Sequence, residues 1–252
     1  MSEQKMMLAG RISKFSELLQ RENQNRKDLS LSTTPGDKDL SLSTLTALEK
    51  ALLAGETHYT VRPGIPELRR RIAVAIQARG GMIPDAKDPA DNVLITTSES
   101  EALFVILLGL GLESGEILTQ TPSSCRHQAL LGLRGLRLET EWGSAARAIY
   151  RPIHLSETDH ARLLRCALES DLPDILDLSA DWSSELPRCD LRRTLIIGNL
   201  NGIKGLSLFR VGYLMAPRAL IARCRPWKQA FSICTAAPSQ RVAVLRLTEE
   251  GS

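Results

Sequence analysis

The sequence has no strong excess of charge, no cysteine pairing pattern and no apolar run of membrane length, and each absence excludes a class of function. Lys and Arg total 32 against 29 Asp and Glu, a net charge of +3 over 252 residues. That is too weak for the footprint of a nucleic-acid-binding domain, which clusters Lys and Arg on one face. The densest basic run, Arg69-Arg70-Arg71, fits a solvated helix face. Cys125, Cys166, Cys189, Cys224 and Cys234 are odd in number and widely spaced, with no C-x-x-C pair and no His at zinc-ligand spacing. They read as reduced thiols of a cytoplasmic protein. The N-terminus lacks the continuous apolar core of a signal peptide. The longest apolar stretch, Ala102 to Leu112, falls far short of the roughly 20 residues that cross a bilayer. Nucleic acid, membrane and export are therefore not expected.

Several chemistries also lack their usual signatures. There is no Walker lysine, no G-x-S-x-G elbow and no H-E-x-x-H helix. Gly109-Leu110-Gly111 with Gly115 has the look of a nucleotide loop, but it ends a helical pattern, whereas a dinucleotide fingerprint follows a strand and opens a helix. A C-terminal helix cap is expected there. His58, His127, His154 and His160 are scattered and read as surface or packing residues, so no metal site is expected.

What is present is a chain with 43% hydrophobic residues, enough for one large core. Residues 1–40 are polar, broken by Pro35-Gly36, and read as an N-terminal arm with one short helix around Lys14 to Leu19. Ser43 can cap a helix carrying Leu45, Leu48 and Leu52 at helical spacing, with Gly55 past its end. Pro66 opens a second helix with Leu68, Ile72, Ala75 and Ile76 on one face, stopped by Gly80-Gly81. Beyond Pro89 short apolar runs alternate with helical segments. Strands are expected at Val93 to Ile95, Ile117-Leu118, Leu136 to Leu138, Ile175 to Leu178, Thr194 to Ile197 and Val211 to Met215. Helices are expected at Ser100 to Leu112, at His127 to Arg134 and from a Ser156 cap to Leu168. Pro217 to Leu247 reads as helices broken near Pro226 and Pro238. Runs buried on both faces between helices imply an α/β fold, a three-layer, mostly parallel sheet flanked by helices.

Several stretches, in order, carry a specific resemblance. His58-Tyr59-Thr60 with Gly64-Ile65-Pro66-Glu67-Leu68-Arg69 is similar to the Y-T-x-x-x-G-I-P-E-L-R segment of fold-type-I, pyridoxal-phosphate-dependent aminotransferases. Val93-Leu94-Ile95-Thr96 and Ser100-Glu101-Ala102-Leu103 resemble that family's strand, cofactor loop and helix. Thr121-Pro122-Ser123 resembles the segment bearing a ring-stacking aromatic, and Gly198 to Leu214 resembles the lysine loop that closes in R-x-G-Y. The resemblance spans roughly Leu31 to Leu247 and implies the family's large domain over residues 41–236, with 237–252 as the start of an interdomain helix and the C-terminal small domain missing.

A pyridoxal-phosphate enzyme needs a lysine amine for the Schiff base, an acid on the pyridine nitrogen and donors for the phosphate. By resemblance, Tyr59 reaches the phosphate of a neighbouring subunit and Asp177 meets the pyridine nitrogen. The helix start near Glu99 and Ser100, Asn199 at the first serine of the lysine loop, and Arg210 surround the phosphate. Pyridoxal 5'-phosphate is the implied cofactor, and a homodimer, or a heterodimer with a full-length aminotransferase-like protein, is the implied partner.

The same alignment shows what is lost. Without gaps, G-S-x-S-K falls on Gly198-Asn199-Leu200-Asn201-Gly202, so Gly202 holds the lysine position and covalent attachment is not expected. Lys204 stands two residues later and would act as the catalytic lysine of an amino-acid transaminase only if the loop slipped by two residues. Glu99 occupies a small residue's place in the cofactor loop, where a carboxylate beside a phosphate dianion is repelled unless it turns to solvent. Ser124 or Cys125 replaces the stacking aromatic, Ala180 replaces a tyrosine three residues after Asp177, and the N-P-x-x-P-T-G turn is not recognisable between Trp142 and Ser156. The reading is an aminotransferase-fold pseudoenzyme that acts by binding or dimerising, with an active enzyme using Lys204 as the alternative.

Overall fold

The computed structural model describes residues 42–81, 88–120, 127–179, 182, 185–189, 192–203 and 205–250. The arm at 1–40, the segment Thr121-Pro122-Ser123 with Ser124 and Cys125, Ala180 and Lys204 lie outside them. In chain order the elements are α1 (Leu42–Leu53), α2 (Pro66–Ala78), a 3-10 turn (Pro89–Asn92), β1 (Val93–Thr96), α3 (Glu99–Leu110), β2 (Gly115–Leu118), α4 (Gln128–Gly132), β3 (Leu136–Glu139), β4 (Ala146–Pro152), α5 (Glu157–Glu169), β5 (Asp174–Asp177), β6 (Thr194–Asn199), a second 3-10 turn (Ser207–Phe209), β7 (Gly212–Met215), α6 (Arg218–Ser232) and α7 (Ala237–Glu250).

The seven strands form one sheet in the order β1-β7-β6-β5-β4-β2-β3. β2 pairs in parallel with β3 and β4, and parallel pairing continues through β5 to β6. β7 runs antiparallel between β6 and β1. Successive residues of the central strands feed opposite faces, as the two-residue repeat of a strand requires. Ile95, Leu176, Ile196 and Tyr213 join Leu68, Ile72 and Val242 of α2 and α7, while Leu94, Ile175, Ile197 and Leu214 join the α3 and α6 side chains. The expected three-layer α/β sheet is thus the observed one, with β7 as its antiparallel member.

The G-I-P-E-L-R segment is structural. Gly64 has φ +105°, and a Cβ there would fall 2.2 Å from Ile95 Cγ1, so only glycine lets the chain cross β1. Pro66 starts α2 and Leu68 is fully buried. Arg69 donates to the carbonyls of Gly64 at 3.1 Å and Ala90 at 2.8 Å, tying the helix to the turn that enters β1.

Two expectations are corrected and one strand is added. Ser43 lies in the first turn of α1, one residue inside its start, and does not cap it. Ala146–Pro152 is a buried strand that the sequence pattern did not show, because Arg147, Arg151 and Pro152 interrupt its apolar residues. Pro226 does not break its helix: α6 runs through it from Arg218 to Ser232. Pro226 and Ala222, four residues before it, are both exposed, so the carbonyl left without its helical donor lies on the solvent side. Leu220, Ile221, Cys224 and Lys228 are buried on the other side.

The helix cap at Gly111 is observed, with φ +69° and its N–H on the carbonyls of Leu107 and Leu108. Ser156 caps α5 by accepting from the Asp159 N–H, as expected. Cys166, Cys189, Cys224 and Cys234 carry thiols, not disulfides. Among the described residues no helix is long and apolar enough to cross a membrane, and no cluster of His, Cys, Asp and Glu could hold a metal ion.

Candidate functional site

In an open α/β sheet, ligands bind beyond the carboxyl ends of the parallel strands. Here that edge gathers the ends of β1, β4, β5 and β6 and the start of β7. Asp177, the last residue of β5, is 4% exposed. Its Oδ1 accepts from the backbone N–H of Ser179 at 2.9 Å and from the Ser179 hydroxyl. Its Oδ2 accepts from the Tyr150 hydroxyl at 2.5 Å and lies 3.4 Å from His127 Nε2. Burial alone would push this carboxyl up, but the adjacent His127 ring and the bonds from Ser179 and Tyr150 outweigh it and hold Asp177 at about 2. A carboxylate offers about four acceptor positions, and Ser179 and Tyr150 occupy three of them from inside the protein.

His127 and Tyr150 were not singled out as site residues from sequence. They stand on different elements and meet Asp177 only through the fold, with the two rings edge to face at 6.1 Å. His127 is also linked to Ser100, whose hydroxyl lies 3.4 Å from Nδ1. No spacing in the sequence connects residues 100, 127, 150 and 177.

The second half of the edge is the start of α3. Thr96 of β1 pairs with Gly212 of β7, and Gly212 pairs with Asn199 at the end of β6, so the three strand termini lie in a row. The chain leaving β1 passes directly over Gly212, where a Cβ would fall 2.4 Å from the Ser98 carbonyl carbon. Ser98 then caps α3 by accepting from the Glu101 N–H at 3.2 Å. This crossing brings Glu99 to the end of β6, where Asn199 Nδ2 donates to Glu99 Oε2 at 2.8 Å. Glu99 therefore does not turn to solvent.

Glu101 supplies a second carboxylate in the same turn. It accepts from the Thr97 N–H at 2.6 Å and from Lys228 Nζ at 3.0 Å, and Ser232 of α6 also donates to it. Burial tends to push Glu101 up, but Ser232, Thr97 and Lys228 together bring it below the usual range. The positive end of the α3 dipole is thus already faced by two side-chain carboxylates of its own first turn.

The remaining candidates do not converge on this edge to the same degree. Tyr59 is 73% exposed. Arg210 is exposed, in the left-handed region at φ +51°, and makes no hydrogen bond or ion pair to a described residue. Gly202 is exposed, and a Cβ on it would stand at ordinary contact distance, 3.4 Å, from Trp182 Cβ. The loop around it is pinned by the Leu200 N–H on the Val211 carbonyl at 2.9 Å and by the burial of Leu200, Ile203 and Leu206. The N-P-x-x-P-T-G position is taken by the end of β4 and the turn that follows it.

A pyridoxal phosphate finds a partial match here. Asp177 stands at the strand end that would meet a pyridine nitrogen, its carboxylate held in place by Ser179 and Tyr150. A phosphate at the α3 start would meet Glu99 in place of a small residue. As arranged, these residues do not fit the cofactor's phosphate. A cavity of about 580 Å³, lined by Asp171, Pro173, Arg192, Arg193 and Leu220, lies at the opposite edge of the sheet, by the start of β5. It shares no residue with the Asp177 site.

No protein-family profile matches the chain. It is 26% identical over 249 residues to a probable N-succinyldiaminopimelate aminotransferase of Mycobacterium tuberculosis, covering 85% of this chain and 62% of that protein. A probable aspartate aminotransferase of Methanocaldococcus jannaschii is 33% identical over 87 residues, 34% of this chain and 22% of its own. The chain thus spans less than two thirds of the length of these curated relatives. Among solved structures, the N-succinyldiaminopimelate aminotransferase of Mycobacterium tuberculosis superposes with a TM-score of 0.73 at 23% identity, over 95% of this chain and 70% of that one. The aspartate aminotransferase of Thermus thermophilus with maleate gives 0.75 at 16% identity, over 100% and 74%. The fold is that of the large domain of fold-type-I aminotransferases.

Proposed function

We propose that this relative of the fold-type-I pyridoxal-phosphate-dependent aminotransferases does not transaminate and acts by association, as a dimer with itself or with a full-length aminotransferase-like chain. The observation that carries this reading is Gly202 in the Schiff-base position. The ungapped match around it is held at both ends, by Gly198 paired with Tyr213 and Asn199 paired with Gly212. A two-residue slip that brought Lys204 into place would pull Ile203, 1% exposed, out of the core. Burying such a side chain contributes roughly 1.5–3 kcal/mol, which a slipped loop would forfeit.

Association has its own support. Tyr59 and Val61 are exposed, as are Trp227, Phe231 and Ile233 at the end of α6. Arg62 donates to Gln229 Oε1 at 2.9 Å, which brings the segment after Tyr59 next to α6. Patches of this kind mark interaction sites, and symmetric pairing is the commonest assembly of soluble chains. A biological contact there should bury more than about 1,000 Å². The thiols support a cytoplasmic setting.

The test is light scattering of the purified chain, alone and mixed with an aminotransferase of full family length. A dimer or a mixed complex is expected. A monomer at every concentration that also fails to bind the longer chain contradicts the reading.

A further inference from the structure

The start of α3 is where the fold would hold an anion: the first N–H groups of a helix have no partners within it, and the dipole favours negative charge. In this chain, Glu99 itself brings the negative charge. Its carboxylate accepts from Asn199 Nδ2 at 2.8 Å, and Asn199 is only 5% exposed at the end of β6. The contact is built by the backbone. Gly212 lets Ser98 cross β7 without a Cβ in the way, and the register Thr96–Gly212–Asn199 aligns the helix start with the strand end. The Ser98 hydroxyl has already taken the Glu101 N–H of the same turn.

We infer that Glu99 is the chain's own occupant of this anion position, and that its link to Asn199 closes the α3 start to phosphate-bearing ligands. The link joins the loop after β1 to the end of β6, the two segments that a bound phosphate would otherwise bridge. An incoming phosphate would have to displace a hydrogen-bonded carboxylate of like charge, with Asp177 on the same edge. The inference is independent of the lysine question: it concerns whether a phosphate is held at all, and would stand even if Lys204 were reactive.

The experiment is calorimetric titration of the full chain with inorganic phosphate, comparing wild type with Glu99→Ala, Glu99→Gln and Glu113→Ala. Glu113 is an exposed carboxylate beyond the other end of α3, paired with Arg134, and serves as the control for a change in net charge. Glu99→Ala is expected to bind phosphate at least about tenfold more tightly than wild type. Glu99→Gln, which keeps an acceptor for Asn199 but loses the charge, should show a smaller gain and stands in if the alanine variant does not fold. Glu113→Ala should match wild type. Wild type binding phosphate as tightly as Glu99→Ala, no gain in either Glu99 variant, or an equal gain in Glu113→Ala would each overturn the inference. None of these outcomes reports on covalent attachment at Lys204, so a failure here is distinct from a failure of the proposed function.

Discussion

Replacing Asp177 by Asn removes one charge and almost no volume, so its effect reports how far the fold depends on that carboxylate. Asp177 is held at about 2 against an ordinary 3.8. A carboxyl depressed by that much contributes roughly 2.4 kcal/mol at neutral pH. The amide adds a further cost, since one of its ends would place N–H donors against Tyr150 or Ser179, which already donate. A total loss of about 2–4 kcal/mol at pH 7 is expected from these two contributions. The sign of the pH dependence follows from the direction of the shift. Because the folded-state value lies below the unfolded one, the charge contribution is complete above about pH 4 and is lost as pH falls towards 2. Urea denaturation of wild type and Asp177→Asn at pH 7 and at stepwise lower pH measures it. The difference between the two proteins should shrink by about 2 kcal/mol over the acid range. A difference that stays constant or widens as pH falls would refute this account of Asp177.

Gly212→Ala should destabilise the chain by about 2 kcal/mol or more, because its Cβ would fall 2.4–2.7 Å from backbone atoms of Ser98 that cannot turn away as a flexible side chain can; thermal denaturation checks it. Arg151→Ala should cost about 3–5 kcal/mol, since Arg151 and Asp174 are both fully buried and joined by bonds of 2.6 and 2.5 Å, and chemical denaturation reads the loss. Gly202→Lys should fold with stability within about 1 kcal/mol of wild type, because the position is exposed and a Cβ meets Trp182 at an ordinary 3.4 Å; a large drop in the melting midpoint would contradict that.

Local chemistry carried much of the fold. Short runs such as Val93 to Ile95 and Thr194 to Ile197 are buried on both faces, and the Ser156 cap sits where a serine precedes an acidic first turn. β4 was illegible for a physical reason. Arg151 faces the interior because Asp174, on the neighbouring strand, and the carbonyl of Arg188 receive its guanidinium, and no local pattern reveals partners 23 and 37 residues away. α6 likewise continues past Pro226 because tertiary packing outweighs one missing hydrogen bond.

The candidate site divides in the same way. Asp177 and Gly202 enter the candidate site through motif position alone. His127 and Tyr150 do not, since they meet Asp177 only through tertiary packing. Glu99 was legible as a misplaced charge, but its engagement with Asn199 depends on the crossing at Gly212. Arg210, expected at the phosphate, is exposed.

The central claim, that the reactive lysine position is empty of lysine and the fold does not replace it, is tested by incubating the purified chain with pyridoxal phosphate, reducing with borohydride and locating any modified residue by peptide mass spectrometry. The account predicts no phosphopyridoxyl group on Lys204 and no internal-aldimine absorption band that borohydride abolishes. Stoichiometric modification of Lys204, with such a band, would contradict it and establish a slipped but functional lysine loop.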